Sequence, residues 1–251
     1  MTLSTYFGGT EIRIAGMGDL HFGTGSFIFY RALFKTLNKD ADIVVMCGDL
    51  TTRGLIEEAR GLAETLSYIE KPVVAVLGNH DHEANNQEEI MDILSETGVN
   101  MLERGPYITE GHKAGFVGTK GFCGGFLNCR IAPFGERILK MFINETYRET
   151  NRVNRDLKSL KADFKVVAYH YAPVRDTCIG EHSEVIPFLG CSILSDPVDT
   201  FKANLVLHGH AHNGMEKGQT STGVPVRNVA LPIHNKKYKV YDSTEFLPSD
   251  R

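Results

Sequence analysis

The sequence predicts an α/β fold. Two observations carry that prediction. Short apolar runs alternate with segments of helical period through the first half of the chain, and five apolar runs along the whole chain each end in a cluster of Asp, Asn or His. Residues 11–17 (EIRIAGM) read as a strand ending in Gly18-Asp19, and residues 27–37 as a helix. Residues 42–46 (DIVVM) read as a buried strand ending in Cys47-Gly48-Asp49. Over 55–69, Leu55, Ile56, Ala59, Leu62, Ala63, Leu66 and Ile69 recur at helical spacing. Residues 72–77 (PVVAVL) form a third buried run, ending in Gly78-Asn79-His80-Asp81. Gln87–Glu96 reads as a helix stopped by Gly98. This β-α-β-α-β-α order implies parallel strands joined by right-handed crossovers.

The second half is more mixed. Residues 106–118 suggest a hairpin pair, and 118–126 (GTKGFCGGF inclusive) a flexible loop. Residues 137–160 read as a long, mostly polar helix. Residues 164–170 (FKVVAYH) and 204–208 (NLVLH) are further buried strands, the second leading into Gly209-His210-Ala211-His212. Residues 225–230 and 237–241 read as closing strands.

Composition bounds the function. A chain of 251 residues fits one α/β domain, taken as 1–251, with an ample core. With 42% hydrophobic and 23% charged residues it reads as soluble and globular rather than disordered. Its 27 basic and 31 acidic side chains give a net charge of −4, which argues against attachment to nucleic acid by bulk positive charge. No apolar run approaches the roughly 20 residues of a membrane span, and the first 14 residues lack a secretory leader. Five widely spaced cysteines, none in C-x-x-C, suit free thiols in a reducing cytoplasm.

In an open parallel sheet, ligands bind beyond the carboxyl ends of the strands. The five polar clusters should therefore converge. They would bring together Asp19, His21, Asp49, Asn79, His170, His210 and His212. Four imidazoles, two carboxylates and an amide carbonyl suit Mn²⁺, Fe²⁺, Zn²⁺, Co²⁺ or Ni²⁺ better than Ca²⁺. Seven donors exceed one tetrahedral site and suit two ions sharing a carboxylate. Two ions about 3.5–4 Å apart match phosphoester hydrolysis.

The series Asp19-x-His21, Gly48-Asp49, Gly78-Asn79-His80-Asp81, His170, Gly209-His210-x-His212 resembles the five-block signature of the calcineurin-like metallophosphoesterases, in the family order and across most of the chain. The resemblance implies a metallophosphoesterase-type β-sandwich flanked by helices, four layers in the order αββα. It implies one metal held by Asp19, His21, Asp49 and His212, and a second held by Asp49, Asn79, His170 and His210, with Asp49 bridging. It implies that His80 binds no metal but faces the phosphoryl group, stabilising charge or protonating the leaving oxygen. The protein Ser/Thr phosphatases of this superfamily read G-D-x-x-D-R-G in the second block; here Thr52 replaces the second Asp, which there orients the histidine. His80 should then lack a carboxylate partner. Arg53 is retained and is expected to face the phosphate. The block and the chain length are more similar to the small prokaryotic members.

Other residues have plainer readings. His208 either packs at its strand end or supports the ligands. His82 is expected to be an exposed loop histidine, with the substrate mouth as the alternative. His112, His182 and His234 are expected to be structural or exposed, and Cys47 a small core residue. The 118–126 loop, with Cys123 and Phe126, is a substrate wall or a mobile connection. Arg148, Arg152 and Arg155 are interleaved with Glu145, Glu149 and Asp156, as on a solvated helix face.

The expectation is a phosphoesterase with two divalent metal ions that hydrolyses its ester by attack of metal-activated hydroxide. A phosphodiesterase on small, even nucleotide, substrates is favoured, since no long insertion builds a protein-binding groove. The expected partner is a small phosphoester, not a membrane; the sequence leaves the oligomeric state open. A DNA or RNA nuclease would need a basic or aromatic track, and the chain has no Trp. A non-catalytic interaction scaffold, the role of a retromer subunit that resembles this family, would be expected to have lost ligand positions; here every one is filled.

Overall fold

Two sheets lie face to face, each with a parallel centre; one edge of the first and both edges of the second are antiparallel. The computed structural model describes residues 11–23 and 25–247. Residues 1–10, which hold most of the segment expected to lack a leader, lie outside the described residues, as does the side chain of His112. The first sheet is built from β1 (Arg13–Met17), β2 (Ile43–Cys47), β3 (Val73–Val76) and β4 (Val99–Met101), parallel and in that order. Helices α1 (Phe27–Asp40), α2 (Ile56–Leu66) and α3 (Gln87–Glu96) make the crossovers. The second sheet contains β5 (Tyr107–Ile108), β6 (Ala114–Thr119), β7 (Phe164–Tyr169), β8 (Leu205–His208), β9 (Lys217–Gln219) and β10 (Pro225–Asn228) in the order β5-β6-β7-β8-β10-β9. Helices α4 (Arg137–Ser159), α5 (Ile186–Leu189) and α6 (Ser195–Thr200) belong to this half. The last strand, β11 (Lys239–Asp242), returns to the first sheet and pairs antiparallel with β1.

The strand sequences explain the layering. Both faces of each central strand are covered, so the strands read as continuous apolar runs instead of alternating. In β2, Ile43, Val45 and Cys47 point between the sheets, while Val44 and Met46 point under the helices. In β7, Val166 and Ala168 face the first sheet and Val167 and Tyr169 face outward, where Val153 and Leu157 of α4 pack. Burying one such Val, Leu or Phe contributes about 1.5–3 kcal/mol. The result is the helix–sheet–sheet–helix stack that the resemblance implied.

Two expectations need adjustment. Helix α1 runs on to Asp40, because Leu37 is still buried in the core and Ala41 supplies the first extended residue. The 118–126 segment is not a flexible loop. Residues 118–121 and 123–126 are buried. The Lys120 carbonyl accepts from the His170 and Tyr171 backbone N–H groups, and Gly124 and Gly125 donate to Pro187 and Gly190. Its glycines permit tight packing against neighbouring backbone, which sequence alone cannot separate from mobility. The short β4, β9, α5 and α6 were not anticipated; three to six residues carry too little periodicity to read.

Candidate metal centre

The carboxyl ends of β1, β2, β3, β7 and β8 point to one end of the sandwich, and the loops after them carry the candidate ligands. The loops after β1 and β2 run side by side: Asp19, His21 and Phe22 donate their N–H groups to Gly48, Asp49 and Leu50. Asp19 (φ 59°), His21 (φ 44°), Asp49 (φ 49°) and His210 (φ 70°) all have left-handed backbone. Such conformations cost roughly 1–3 kcal/mol each in a non-glycine residue and persist where surrounding structure imposes them. Here they turn the side chains back over the strand ends. Gly48 is required for the same reason. At φ 78° it packs against His170, and a Cβ there would lie 2.5 Å from the ring Nδ1.

The seven side chains do converge. Asp19, His21 and His212 form one group of donor atoms within 4.8 Å of one another, and Asp49, His170 and His210 form a second. The His212 Nε2 lies 2.8 Å from Asp19 Oδ1, and the His170 Nε2 lies 2.8 Å from Asn79 Oδ1. Asp49 stands between the groups, with Oδ1 3.4 Å from His170 Nε2 and Oδ2 3.8 Å from His21 Nε2. The His170 Nδ1 lies 3.0 Å from the Cys47 carbonyl. A carbonyl only accepts, so Nδ1 donates to it, and Nε2 is the nitrogen turned toward the site, the usual orientation of a metal-binding imidazole.

The electrostatics suit cation binding. Burial pushes His210 down to about 3, with the neighbouring His170 adding to the effect, and burial also lowers His21. Both are then neutral, the form that ligates a metal. Burial opposes the Asp19 carboxylate, yet its hydrogen bond to His212 and the surrounding imidazoles hold its carboxyl below the usual range. The reciprocal bond raises His212. Neutral His21 and His210 beside the buried Asp19 and Asp49 carboxylates form a donor set that fits divalent cations.

His80 sits beside this set. Its Nε2 is 3.9 Å from Asp49 Oδ2, its ring centroid is 4.6 Å from that of His21, and His21, Asp49 and His80 together also fall within 4.8 Å. As expected, no carboxylate comes from position 52. The backbone carbonyl of Thr52 takes that place, 2.7 Å from His80 Nδ1, while Glu83 Oε2 stands off at 3.9 Å. The Thr52 hydroxyl donates to the His21 carbonyl, so this residue ties two of the loops together. Arg53 is exposed, and its backbone N–H donates to Glu58. The described contacts do not bring its side chain to the centre.

Several functional neighbours were missed or misread. Asp81, read only as part of a motif, is fully buried. Its Oδ1 accepts from the Thr51 N–H and hydroxyl, and its Oδ2 from the Leu50 and Gly78 N–H groups. It thereby fastens the Asp49 loop to the Asn79 loop. Gly78 lies so close that a Cβ would collide with Asp49. His82 is not an exposed loop histidine. It is half-buried, and burial with the nearby Lys120 pushes it down to about 4. Tyr171 lays its ring 4.5 Å from that of His210, and the buried Lys120 ammonium lies 5.3 Å from the Tyr171 ring. The rule that flagged the other strand ends would have found Lys120, which directly follows β6. His208 is buried and bonds Thr177, and His234 is buried against the Asn228 carbonyl. Cys47 is a core residue, as expected.

The pattern of the calcineurin-like phosphoesterase family matches residues 12–214, which include every candidate ligand. A Caenorhabditis elegans protein named as a metallophosphoesterase, F40B5.2, is 22% identical over 242 residues. The match takes in 93% of this chain and 42% of that protein, so the chain spans about two fifths of its relative's length. Among solved structures, the phosphopantetheinyl hydrolase PptH of Mycobacterium tuberculosis superposes with a TM-score of 0.68 at 16% identity, over 93% of this chain and 96% of that one. GAP50 of Plasmodium, described as the anchor in the inner membrane complex, gives 0.57 at 16% identity, over 88% and 72%. These likenesses are to the fold.

Proposed function

The chain belongs to the calcineurin-like phosphoesterases, and from that premise we propose that it hydrolyses small phosphoesters, phosphodiesters foremost, at a centre of two divalent ions. One observation carries the reading: Asp49 is placed between two groups of candidate ligands that arrive from five separate loops. Asp19, His21, Asp49 and His212 would hold one ion, and Asp49, Asn79, His170 and His210 the other. Bound ions would lower the pKa of water and clamp the phosphoryl oxygens. The chain's own part is to hold the donors neutral or anionic and to orient His80. With Nδ1–H committed to the Thr52 carbonyl, a protonated His80 presents Nε2–H to the phosphoryl or leaving oxygen. A carbonyl supports that cation less than a carboxylate does. Esters with good leaving groups, which need little protonation, should therefore be cleaved at least as well as alkyl monoesters.

The scaffold reading, to which an anchor role belongs, is opposed by a ligand set with every position filled. A polynucleotide substrate is opposed by the net charge of −4. No described helix is long and apolar enough to cross a membrane. Five free thiols suit the cytoplasm. The test is turnover of bis(4-nitrophenyl) phosphate by chelator-stripped protein before and after adding Mn²⁺, beside 4-nitrophenyl phosphate, an alkyl monoester and cyclic nucleotides. Metal-dependent turnover with the diester at least equal to the alkyl monoester is expected. Protein that binds two ions and cleaves none of these esters removes the proposal.

A further inference from the structure

A cavity of about 700 Å³ opens beside the centre, and Asp19 and His21 form part of its wall. Its remaining lining is mostly apolar. Leu20 and Tyr30 come from one side, and Leu231 and Pro232 from the other. Tyr30 contributes only its ring, because its hydroxyl donates to the Leu20 carbonyl. Phe29 stands at the mouth, 43% exposed, edge-on to Tyr30 with centroids 4.9 Å apart. A volume of this order fits a small organic group, and apolar walls with few polar atoms are typical of such sites.

The cavity is also held in place. Leu231 donates its N–H to the Gly18 carbonyl, so this wall is tied to the segment that presents Asp19 and His21. The turn that follows is closed by Lys236 donating its N–H to Leu231 and by the His234 ring on the Asn228 carbonyl. Asn235 (φ 53°) and Lys236 (φ 60°) take left-handed backbone to make it. Among the described lining residues, Lys236 is the one lysine or arginine. One ammonium does not balance the charge of a polyphosphate chain, and a polar substrate would leave the ring faces wetted.

We propose that this cavity seats the organic substituent of the substrate, and that the substrate is an ester with a single phosphoryl group and a largely apolar substituent, aromatic or aliphatic. The proposal rests on the phosphoesterase reading for the placement of the phosphoryl group at the metals. Phenylphosphonate and methylphosphonate test it, since both offer the same head group and only the first reaches the cavity. Binding is measured by calorimetry on the Mn²⁺-loaded protein, with no turnover required. Phenylphosphonate should bind about tenfold more tightly, or roughly 1.4 kcal/mol. Phe29→Ala, at a half-exposed position outside the metal site, should shrink that ratio to roughly threefold or less and leave methylphosphonate affinity and Mn²⁺ stoichiometry unchanged. Equal affinities in the unaltered protein, no binding of either compound, or a ratio untouched by Phe29→Ala would overturn the subsite even if bis(4-nitrophenyl) phosphate is hydrolysed. Preferential phenylphosphonate binding without turnover of any ester would sustain the subsite and overturn the phosphoesterase reading.

Discussion

Asp81→Asn tests whether a residue that touches no candidate metal position holds the centre together. The change is isosteric and removes one acceptor oxygen. If the new amide keeps its oxygen toward Leu50 and Gly78, its NH₂ faces the Thr51 N–H and hydroxyl, now 2.8 and 2.6 Å from Oδ1. The hydroxyl can turn and accept, so the Thr51 N–H alone loses its partner. In the opposite orientation two backbone donors, Leu50 N and Gly78 N, lose theirs. The first arrangement should win. A charge-assisted bond contributes about 1.5–3 kcal/mol, and a stranded buried donor costs about 1–3 kcal/mol. Since the two figures partly overlap, the expected loss is about 2–4 kcal/mol, or a fall in melting temperature of roughly 4–16 °C for a chain of this size. The Asp49 and Asn79 loops lose a shared fastening, so Mn²⁺ affinity should fall with stability. Thermal unfolding of the metal-free protein gives the first quantity and Mn²⁺ titration the second. Unchanged melting with unchanged Mn²⁺ affinity would refute the reasoning, because it would mean the two loops hold their positions without the carboxylate.

The geometry explains what could and could not be read from the sequence. Asp19, Asp49, Asn79, His170 and the His210/His212 pair were legible because each follows a strand of four or more mostly apolar residues, and chain direction alone puts such ends together. The sandwich was not legible from periodicity. A strand covered on both faces, such as β2, reads the same in a single doubly wound sheet as in two stacked ones, and the family resemblance made the choice. The role of Thr52 was half legible. Loss of the carboxylate showed in the residue type, but the substitute is a backbone carbonyl, which every residue owns. Asp81, His82 and Lys120 were obscured for a related reason. Each occupies a loop where the sequence suggests exposure; Asp81 is held inward by the Leu50 and Thr51 donors, and Lys120 lies against the Tyr171 ring, partners that no local pattern announces. The Gly-rich stretch before Phe126 shows the same ambiguity, since glycine serves tight packing and mobility alike.

Three further outcomes are expected. Asp49→Asn should lower metal content and abolish activity together, since its two oxygens face His170 and His21 on opposite sides; a variant with two bound ions and normal turnover would remove the bridging role. His80→Ala should keep both ions and lose 10²–10⁴-fold in kcat, less for aryl than for alkyl esters, whereas Asn79→Ala should weaken one ion. Equal metal loss in the two variants would make His80, which lies within ligand distance of Asp49, a ligand. The last concerns Glu103, whose carboxyl group lies against Leu77 just after β3. Its Oε1 accepts from the Leu77 N–H, its Oε2 is buried without a partner, and burial pushes the carboxyl up from 4.5 to about 8. The folded chain therefore holds a proton here that the unfolded chain has released, and between pH 4.5 and 8 stability contributed by this group must fall as pH rises. The full loss is on the order of 5 kcal/mol. Glu103→Gln cannot ionise, so denaturant unfolding of the metal-free proteins at pH 5 and pH 8.5 should show a smaller decline for the variant than for the unaltered chain. Parallel declines would mean that Glu103 is ionised in the fold and that its second oxygen has found a partner.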